Sequence, residues 1–419
     1  MTFIKIGQKI KYVREKKLLT QESLGRLTGY DKSTISKFEN GARLPDSYAL
    51  TIIKSKLGIP FVPLTAEEIN QYKEKLYFWF HQLKRSSDSM QEELKWGFEL
   101  TVSKEMSILY LLFSLRLYHN RGNIEEAEKI ISILESEKSH FNDFHYYYYY
   151  YSLGVYYDDL NKIKQAISCF LKAEKIDVAL RLYEDALYYY LAKLFTAIGY
   201  APKAILYLIK AREISRMNYD KTFEIYYDII EANNYNKIGE SERAMKILLN
   251  CLYQTDNSNE SFSKGIIYHN LGCVCANQKY YDKALEYFNM GFDYIRPDSN
   301  YYIENLFNKA YLLLEYNQPE ASACIKEGLE ITTGKDEYLY LFKSLECLET
   351  GFEKIEMLDF IEEISIPRLL KNGQYFLAIK FCNIVAEYYS FKKKYKKAFE
   401  YKDKAAECYE MILNGKLDL

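Results

Sequence analysis

Residues 268–291 read Tyr268-His269-Asn270-Leu271-Gly272-Cys273-Val274-Cys275, then Asp282-Lys283-Ala284-Leu285-Glu286-Tyr287-Phe288, and close on Gly291. Small residues at Gly272, Ala284 and Gly291 sit among large apolar ones at helical spacing. The spacing predicts one helix, a turn at Asn277–Tyr281 and a second helix folded back on the first. Small side chains let the two backbones come close, and Leu271 and Phe288 fill the seam.

The pattern recurs. Its small residue reappears at Ala127, Ala166, Ala204, Ala244, Ala284, near Ala321–Ser322 and at Ala398. The first five steps are 39, 38, 40, 40 and about 38 residues. The last gap is about two steps, so one repeat around Glu337–Glu363 has lost its signature. Helical pairs at a fixed period form a solenoid. The clearest unit, Leu153-Gly154-x-x-Tyr157 with Ala166, Phe170 and Ala173, resembles the tetratricopeptide repeat with a few residues added per unit.

Composition agrees with an all-α chain. Of 419 residues only seven are proline and 18 glycine, and 48% are hydrophobic, enough for a continuous core. No apolar run is long enough to span a bilayer, and Met1-Thr2-Phe3-Ile4-Lys5 lacks a signal-peptide core. Eight cysteines include no C-x-x-C, and Cys169, Cys251, Cys275 and Cys408 fall on packing faces. They read as reduced core residues of a cytoplasmic protein. The net charge of −2 divides into +7 over residues 1–59 and −9 over the rest. A basic head on an acidic body points to a polyanion as the partner of the head.

The head reads as four short helices, at about Phe3–Lys17, Gln21–Thr28, Lys32–Asn40 and Ser47–Lys56. Thr20 and Asp31 are N-caps for the second and third, and Gly29 and Gly41 end them. Gly7, Ile10, Arg14, Leu19-Thr20-Gln21, Leu24, Gly29, Ile35-Ser36, Glu39, Gly41, Pro45, Leu50 and Leu57-Gly58-Ile59 resemble the phage-repressor (Cro/C1, or Xre) helix-turn-helix family. Gly25 departs from its usual alanine. The resemblance implies a five-helix-type DNA-binding domain over residues 1–59, its third helix in the major groove. Lys32, Ser33, Thr34 and Lys37 then face base edges, Gln21 clamps a phosphate, and Arg43 and Arg14 touch the backbone.

Pro60-Phe61-Val62-Pro63-Leu64 lies in a stiff linker, residues 60–66. A solenoid of about eight to nine helical pairs follows over residues 67–414, its first pair built on Trp79, Phe80, Trp96 and Phe98 as core. The tetratricopeptide resemblance implies a right-handed superhelix whose first helices line a concave groove. It places Arg116, Lys193 and Asn233 at one inward position, Asn270 and Asn308 at another, Tyr151 and Tyr189 at a third and Glu304 at a fourth. An asparagine amide pairs with both N–H and C=O of an extended peptide, and Asn233 with Asn270 and Asn308 has the layout of a backbone clamp. Arg116 suits a carboxylate. The alternative for each asparagine is a bond within the helices. The Tyr146–Tyr151 run reads mostly as packing, with Tyr148 and Tyr151 toward the groove.

Among five histidines none forms an H-E-x-x-H or a His–Cys pair with a recognisable motif, and no glycine loop cradles phosphate. The reading therefore contains no catalytic residue, metal or cofactor. An Xre-type head fused to such an array resembles the RRNPP family of Gram-positive peptide-pheromone sensors. That implies a cytoplasmic homodimeric quorum-sensing regulator with a double-stranded DNA operator and a short signalling peptide as partners. It also implies no membrane partner. Tyr388, Tyr389 and Tyr395 are dimer-surface candidates. The alternative is a scaffold that docks a response-regulator protein and influences phosphorelays such as sporulation.

Overall fold

The computed structural model describes residues 6–58 except 41 and 44, 66–84, and 104–414 apart from 121–122, 222, 257–260, 298, 334–335 and 351–354. Among these residues every regular element is helical. The chain divides into two compact units, Met1–Ser152 and Leu153–Leu419. The linker expected at 60–66 and the residues Gly41, Trp96 and Phe98 fall outside the described residues, apart from Ala66, the first residue of a helix.

The first unit begins with α1 (Ile6–Lys16), α2 (Gln21–Thr28), α3 (Lys32–Glu39) and α4 (Ser47–Leu57). Their apolar faces meet at Ile10, Leu24, Ile35, Phe38, Ala49, Ile53 and Leu57. Two caps are those the sequence implies, Thr20 accepting from the Ser23 N–H and Asp31 from Thr34, and Gly29 ends α2 at φ 79°; Asp46, accepting from Ala49, also caps α4. Gly25 has a reason of its own. A Cβ there would stand 2.4 Å from the Tyr30 carbonyl oxygen, so the turn after α2 closes onto bare backbone.

Three more helices follow in this unit: α5 (Ala66–Lys84), α6 (Lys104–Asn120) and α7 (Ile124–Glu137). Helix α8 (Asp143–Asp159) crosses into the second unit. Trp79 is buried and stacks on Tyr110 at 5.9 Å, the core role foreseen for it. The tyrosine run corrects one expectation. Tyr148 and Tyr151 are buried, their rings 4.9 and 5.8 Å from Phe80, so both belong to the core of this unit.

The second unit continues as helical pairs: α9 (Ile163–Leu180), α10 (Asp185–Ala197) with α11 (Ala201–Met217), α12 (Glu224–Lys237) with α13 (Ser241–Asp256), α14 (Ser261–Asn277) with α15 (Tyr281–Phe292), and α16 (Asn300–Glu315) with α17 (Glu320–Ile331). The small residues that set the period, Ala166, Ala204, Ala244, Ala284 and Ala321, are all buried. Six of the turns inside pairs pass, among the described residues, through a left-handed residue: Asn161, Gly199, Gly239, Lys279, Asn317 and Lys393. The N–H of the following residue then reaches back to the helix, as from Tyr280 to the Cys275 carbonyl at 2.9 Å.

The repeat without a signature is a helical pair. It comprises α18 (Asp336–Glu349), then α19 (Ile355–Asp359), a π-helical stretch Phe360–Ser365, and α20 (Ile366–Asn372). The π turn moves the close approach along the chain: Ser365 Oγ meets Ser344 Oγ at 2.6 Å where an alanine seam would be sought near residue 360. The last pair is α21 (Tyr375–Phe391) and α22 (Tyr395–Asn414). There Tyr389 is buried and stacked on Tyr401, which removes it from the dimer surface. Tyr395 is exposed, together with Phe391 and Phe399, and Tyr388 is half-buried.

The second unit closes on itself. Asn372 Oδ1 accepts from the Ile163 N–H at 2.8 Å, its Nδ2 donates to the Asn161 carbonyl, and Gln374 reaches Asn161 at 3.1 Å. Asn300 Nδ2 donates to the Asp159 carbonyl at 2.8 Å, bridging α16 to the end of α8. First helices of distant pairs therefore share one interior.

Candidate functional sites: an exposed helix face and the inner wall of the repeats

In the head, α3 turns Ile35 and Phe38 into the core, which leaves Lys32, Ser33 and Lys37 exposed on its outer side. Thr34 is half-buried, and its hydroxyl is engaged with Asp31 at 2.9 Å, so it caps the helix. Arg43 is exposed beside α3, its guanidinium 5.7 Å from the Phe38 ring centre. Gln21 opens α2 and donates through Nε2 to Glu39 at 2.8 Å. That bond fixes the amide at the helix N-terminus with its second N–H left over.

Arg14 is a correction. It is buried and makes a two-pronged pair with Glu39, at 2.6 and 2.9 Å, while Nη1 donates to the Leu19 carbonyl at 2.7 Å. The hydrogen bonds from Glu39 raise its pKa against the opposing effect of burial. Its guanidinium is committed to the fold and unavailable to a phosphate.

In the second unit, the first helices converge on a charged and aromatic wall. Lys193 Nζ pairs with Asp158 at 2.8 Å and lies 5.9 Å from the centre of the Tyr301 ring. Tyr189 stands against Tyr226 and Phe223 at 6.0 and 4.9 Å, and Tyr338 donates to Glu304 at 3.4 Å. Glu304 is exposed to solvent, yet protein surrounds it, and desolvation raises its pKa against the pull of His269 and Lys193. The same crowding opposes the charge on Lys193, but Asp158 and neighbouring tyrosines outweigh it and raise the pKa. Water-accessible groups with desolvated charges describe an enclosed groove.

Asn233 lies on α12 between Tyr226 and Lys237 at helical spacing, and Asn308 lies one turn beyond Glu304 on α16. Both are half-buried, and neither spends its amide on another described residue. Asn270 does not join them. It is buried, and Nδ2 donates to the Ile266 carbonyl one turn back at 2.7 Å, so the expected clamp loses its middle member. Arg116 and Tyr151 belong to the first unit and are buried there. The wall retains Tyr189, Lys193, Asn233, Glu304 and Asn308, and adds Asp158, Tyr226, Tyr301 and Tyr338, which sequence reasoning missed.

It adds one more group. His269 Nδ1 donates to Asn305 Oδ1 at 3.1 Å, and its Nε2 faces Cys273 Sγ at 3.7 Å. Asn305 is held in turn by donating to the Phe288 carbonyl at 2.8 Å. Burial works against the imidazolium, but the Cys273 sulfur, Glu304 and Asn305 raise His269 to a pKa of about 9. The i, i+4 spacing of His269 and Cys273 was visible in the sequence. Across from them Lys237 Nζ donates to the Ala197 carbonyl at 3.2 Å and sits 4.9 Å from the Phe376 ring centre. Burial lowers its pKa to about 8. An open cleft of about 710 Å³ lies at the adjoining turns, lined by Asn236, Lys237, Glu240, Arg243 and Gln278. It holds none of the peptide-site candidates.

The raised pKa of His269 has a definite sign. A pKa of about 9 in the fold against 6.5 in the unfolded chain stabilises fully below pH 6.5 and is lost as pH rises through 9. The loss is at most about 3 kcal/mol. Thermal unfolding of wild type and His269→Gln from pH 6 to pH 10 is expected to show this alkaline decline in wild type alone. Parallel curves would rule it out.

Comparison with known proteins finds likeness in the head and along the body of the chain. A helix-turn-helix family model (HTH_3) matches residues 10–64. The chain is 24% identical over 404 residues to the transcriptional activator NprA of Geobacillus stearothermophilus, covering 91% of this chain and 98% of NprA. Its fold is that of a Rap protein solved with competence and sporulation factor (TM-score 0.71, 15% identity, 83% of this chain and all of that one). It is also that of NprR solved with its cognate peptide NprX (TM-score 0.67, 20% identity, the same coverage). A helix-turn-helix head, a helical-repeat body and likeness to NprA along nearly all of both chains make this chain similar to the RRNPP family.

Proposed function

We propose that the chain is a cytoplasmic quorum-sensing transcription regulator. A short signalling peptide lies along the inner wall of the second unit and alters operator binding by the head, which acts in a homodimer. The exposed Phe391, Tyr395 and Phe399 on the last pair are the surface offered for pairing. The observation that carries the peptide reading is the wall itself. Asn233 and Asn308 keep free amides in an enclosed groove that also presents Lys193 and Glu304. Such a groove can hold peptide amides away from water, and differential affinity for two shapes of the unit couples it to DNA.

Asn233→Ala is expected to cost roughly 1–3 kcal/mol of peptide affinity, tenfold to over a hundredfold, by leaving a buried peptide amide unpaired. Melting temperature and basal DNA binding should stay put. Calorimetric titration of the cognate peptide decides it, and equal affinity in both proteins would remove the clamp.

Lys37→Ala is expected to cost about 1–3 kcal/mol on the specific operator if it reads a base. If it touches only phosphate, the loss spreads evenly over all sequences and the salt slope falls by about one. Operator titrations at several salt concentrations separate the two, and unchanged binding would take Lys37 off the interface.

The fold shared with the Rap protein supports a second reading, a scaffold that docks a response-regulator protein. That reading leaves the exposed basic face of α3 without a task.

A further inference from the structure

We propose that Cys273 is an oxidation site for hydroperoxides, set into the inner wall of the second unit. Seven of the eight cysteines are buried free thiols, and Cys273 alone is partly open. It also stands in an ordered chain of side chains: the sulfur faces His269 Nε2 at 3.7 Å, His269 Nδ1 donates to Asn305 at 3.1 Å, and Asn305 donates to the Phe288 carbonyl at 2.8 Å. Asn305 is fully buried, so it fixes the ring and its tautomer. The arrangement sets a histidine nitrogen against the sulfur, placed to receive the thiol proton and deliver it to a leaving group.

The surroundings select the chemistry. A Cys–His–Asn array also serves acyl transfer, but Cys273 lies in mid-α14, and the backbone N–H groups around it are spent in the helix ladder. No donor pair is left to hold an oxyanion, so amide hydrolysis has no support here. Disulfide formation has no partner either, because Cys275 points into the seam with Ala284 and Phe288. A small uncharged oxidant needs neither.

In the step, the thiolate attacks the outer oxygen of the hydroperoxide. The S–O bond forms as the O–O bond breaks, sulfur gives up two electrons and the peroxide takes them. His269 passes its Nε2 proton to the leaving alkoxide. The products are a sulfenic acid, an alcohol (water from hydrogen peroxide) and a neutral imidazole. The thiolate and imidazolium charges vanish together, so the net charge of the wall is unchanged while a polar S–OH replaces the pair beside Glu304 and opposite Lys237. On the reading that a peptide binds this wall, oxidation retunes its affinity.

The test begins with native protein and limiting iodoacetamide, mapped by mass spectrometry. Cys273 should be carbamidomethylated roughly tenfold or more faster than any other cysteine, and His269→Gln should slow it by a similar factor. Hydrogen peroxide with dimedone should then leave its adduct on Cys273. Alkylation of Cys273 no faster than the other cysteines, or no dimedone adduct, overturns the proposal on the unaltered chain even if the variant misfolds. None of these readouts involves peptide. If Cys273 reacts as stated but its carbamidomethylation leaves peptide affinity unchanged, the peptide's place on this wall falls and the thiol chemistry stands.

Discussion

Glu39→Ala is expected to unfold the head while leaving the repeats intact. Glu39 is 3% exposed and holds three donors: two from Arg14, at 2.6 and 2.9 Å, and the Gln21 amide at 2.8 Å. The truncation therefore strands a buried guanidinium, which lost burial alone would not do. Removing one partner of a buried pair costs about 3–5 kcal/mol, a large part of what so small a core can supply. Arg14 also ties α1 to the Leu19 carbonyl, so the damage reaches the turn that positions α2. Hydrogen exchange on the full chain should show α1–α4 losing protection and α9–α22 keeping theirs. Retained protection in the head would show that Arg14 finds water or another acceptor.

The second large effect is expected of Phe288→Ala. The ring is 1% exposed and packs where a Cβ on Gly272 would come within 2.5 Å of it. Helix α14 approaches α15 that closely because position 272 has no side chain, so it cannot move in to fill the void. Phe/Trp→Ala in such cores costs about 3–5 kcal/mol. The ring is also 6.0 Å from His269, so its loss should loosen the Cys273 group along with the seam. Calorimetric unfolding measures the cost. Gly272→Ala should be damaging in wild type and much milder beside Phe288→Leu, a coupling that appears only if the two positions touch. Additive effects would place the ring elsewhere.

Much of this was legible in residue order. The alanine period located the pairs because each small residue marks a backbone approach that nothing larger permits, as Gly272 and Ala284 illustrate. The head was legible for the same reason, with Thr20, Asp31 and Gly29 each doing one local job. The pair at 336–372 hid because a π turn shifts its small residue to Ser365.

Side chains whose partner is far along the chain were misread. Arg14 looked like a free surface cation until Glu39, 25 residues away, claimed it. Tyr151 was placed by repeat position, but a ring from α5 outranks that geometry. Asn270 satisfied itself within its own helix. The wall needed residues from α8, α10, α14 and α16 at once, and only the winding of the unit brings Asp158 to Lys193 or Asn305 to His269.

The closure through Asn161, Asn372 and Gln374 changes what kind of object the second unit is. An open repeat array is a row of nearest neighbours that can fray from either end. Here bonds span 209 to 213 residues of sequence and turn the row into a ring. Closing a loop that long costs on the order of 5 kcal/mol of chain entropy, recovered only when all the intervening pairs are in place. Such a unit assembles slowly for its helix content and comes apart as a whole, so a fault in any one pair is felt at the join between the first turn and the last.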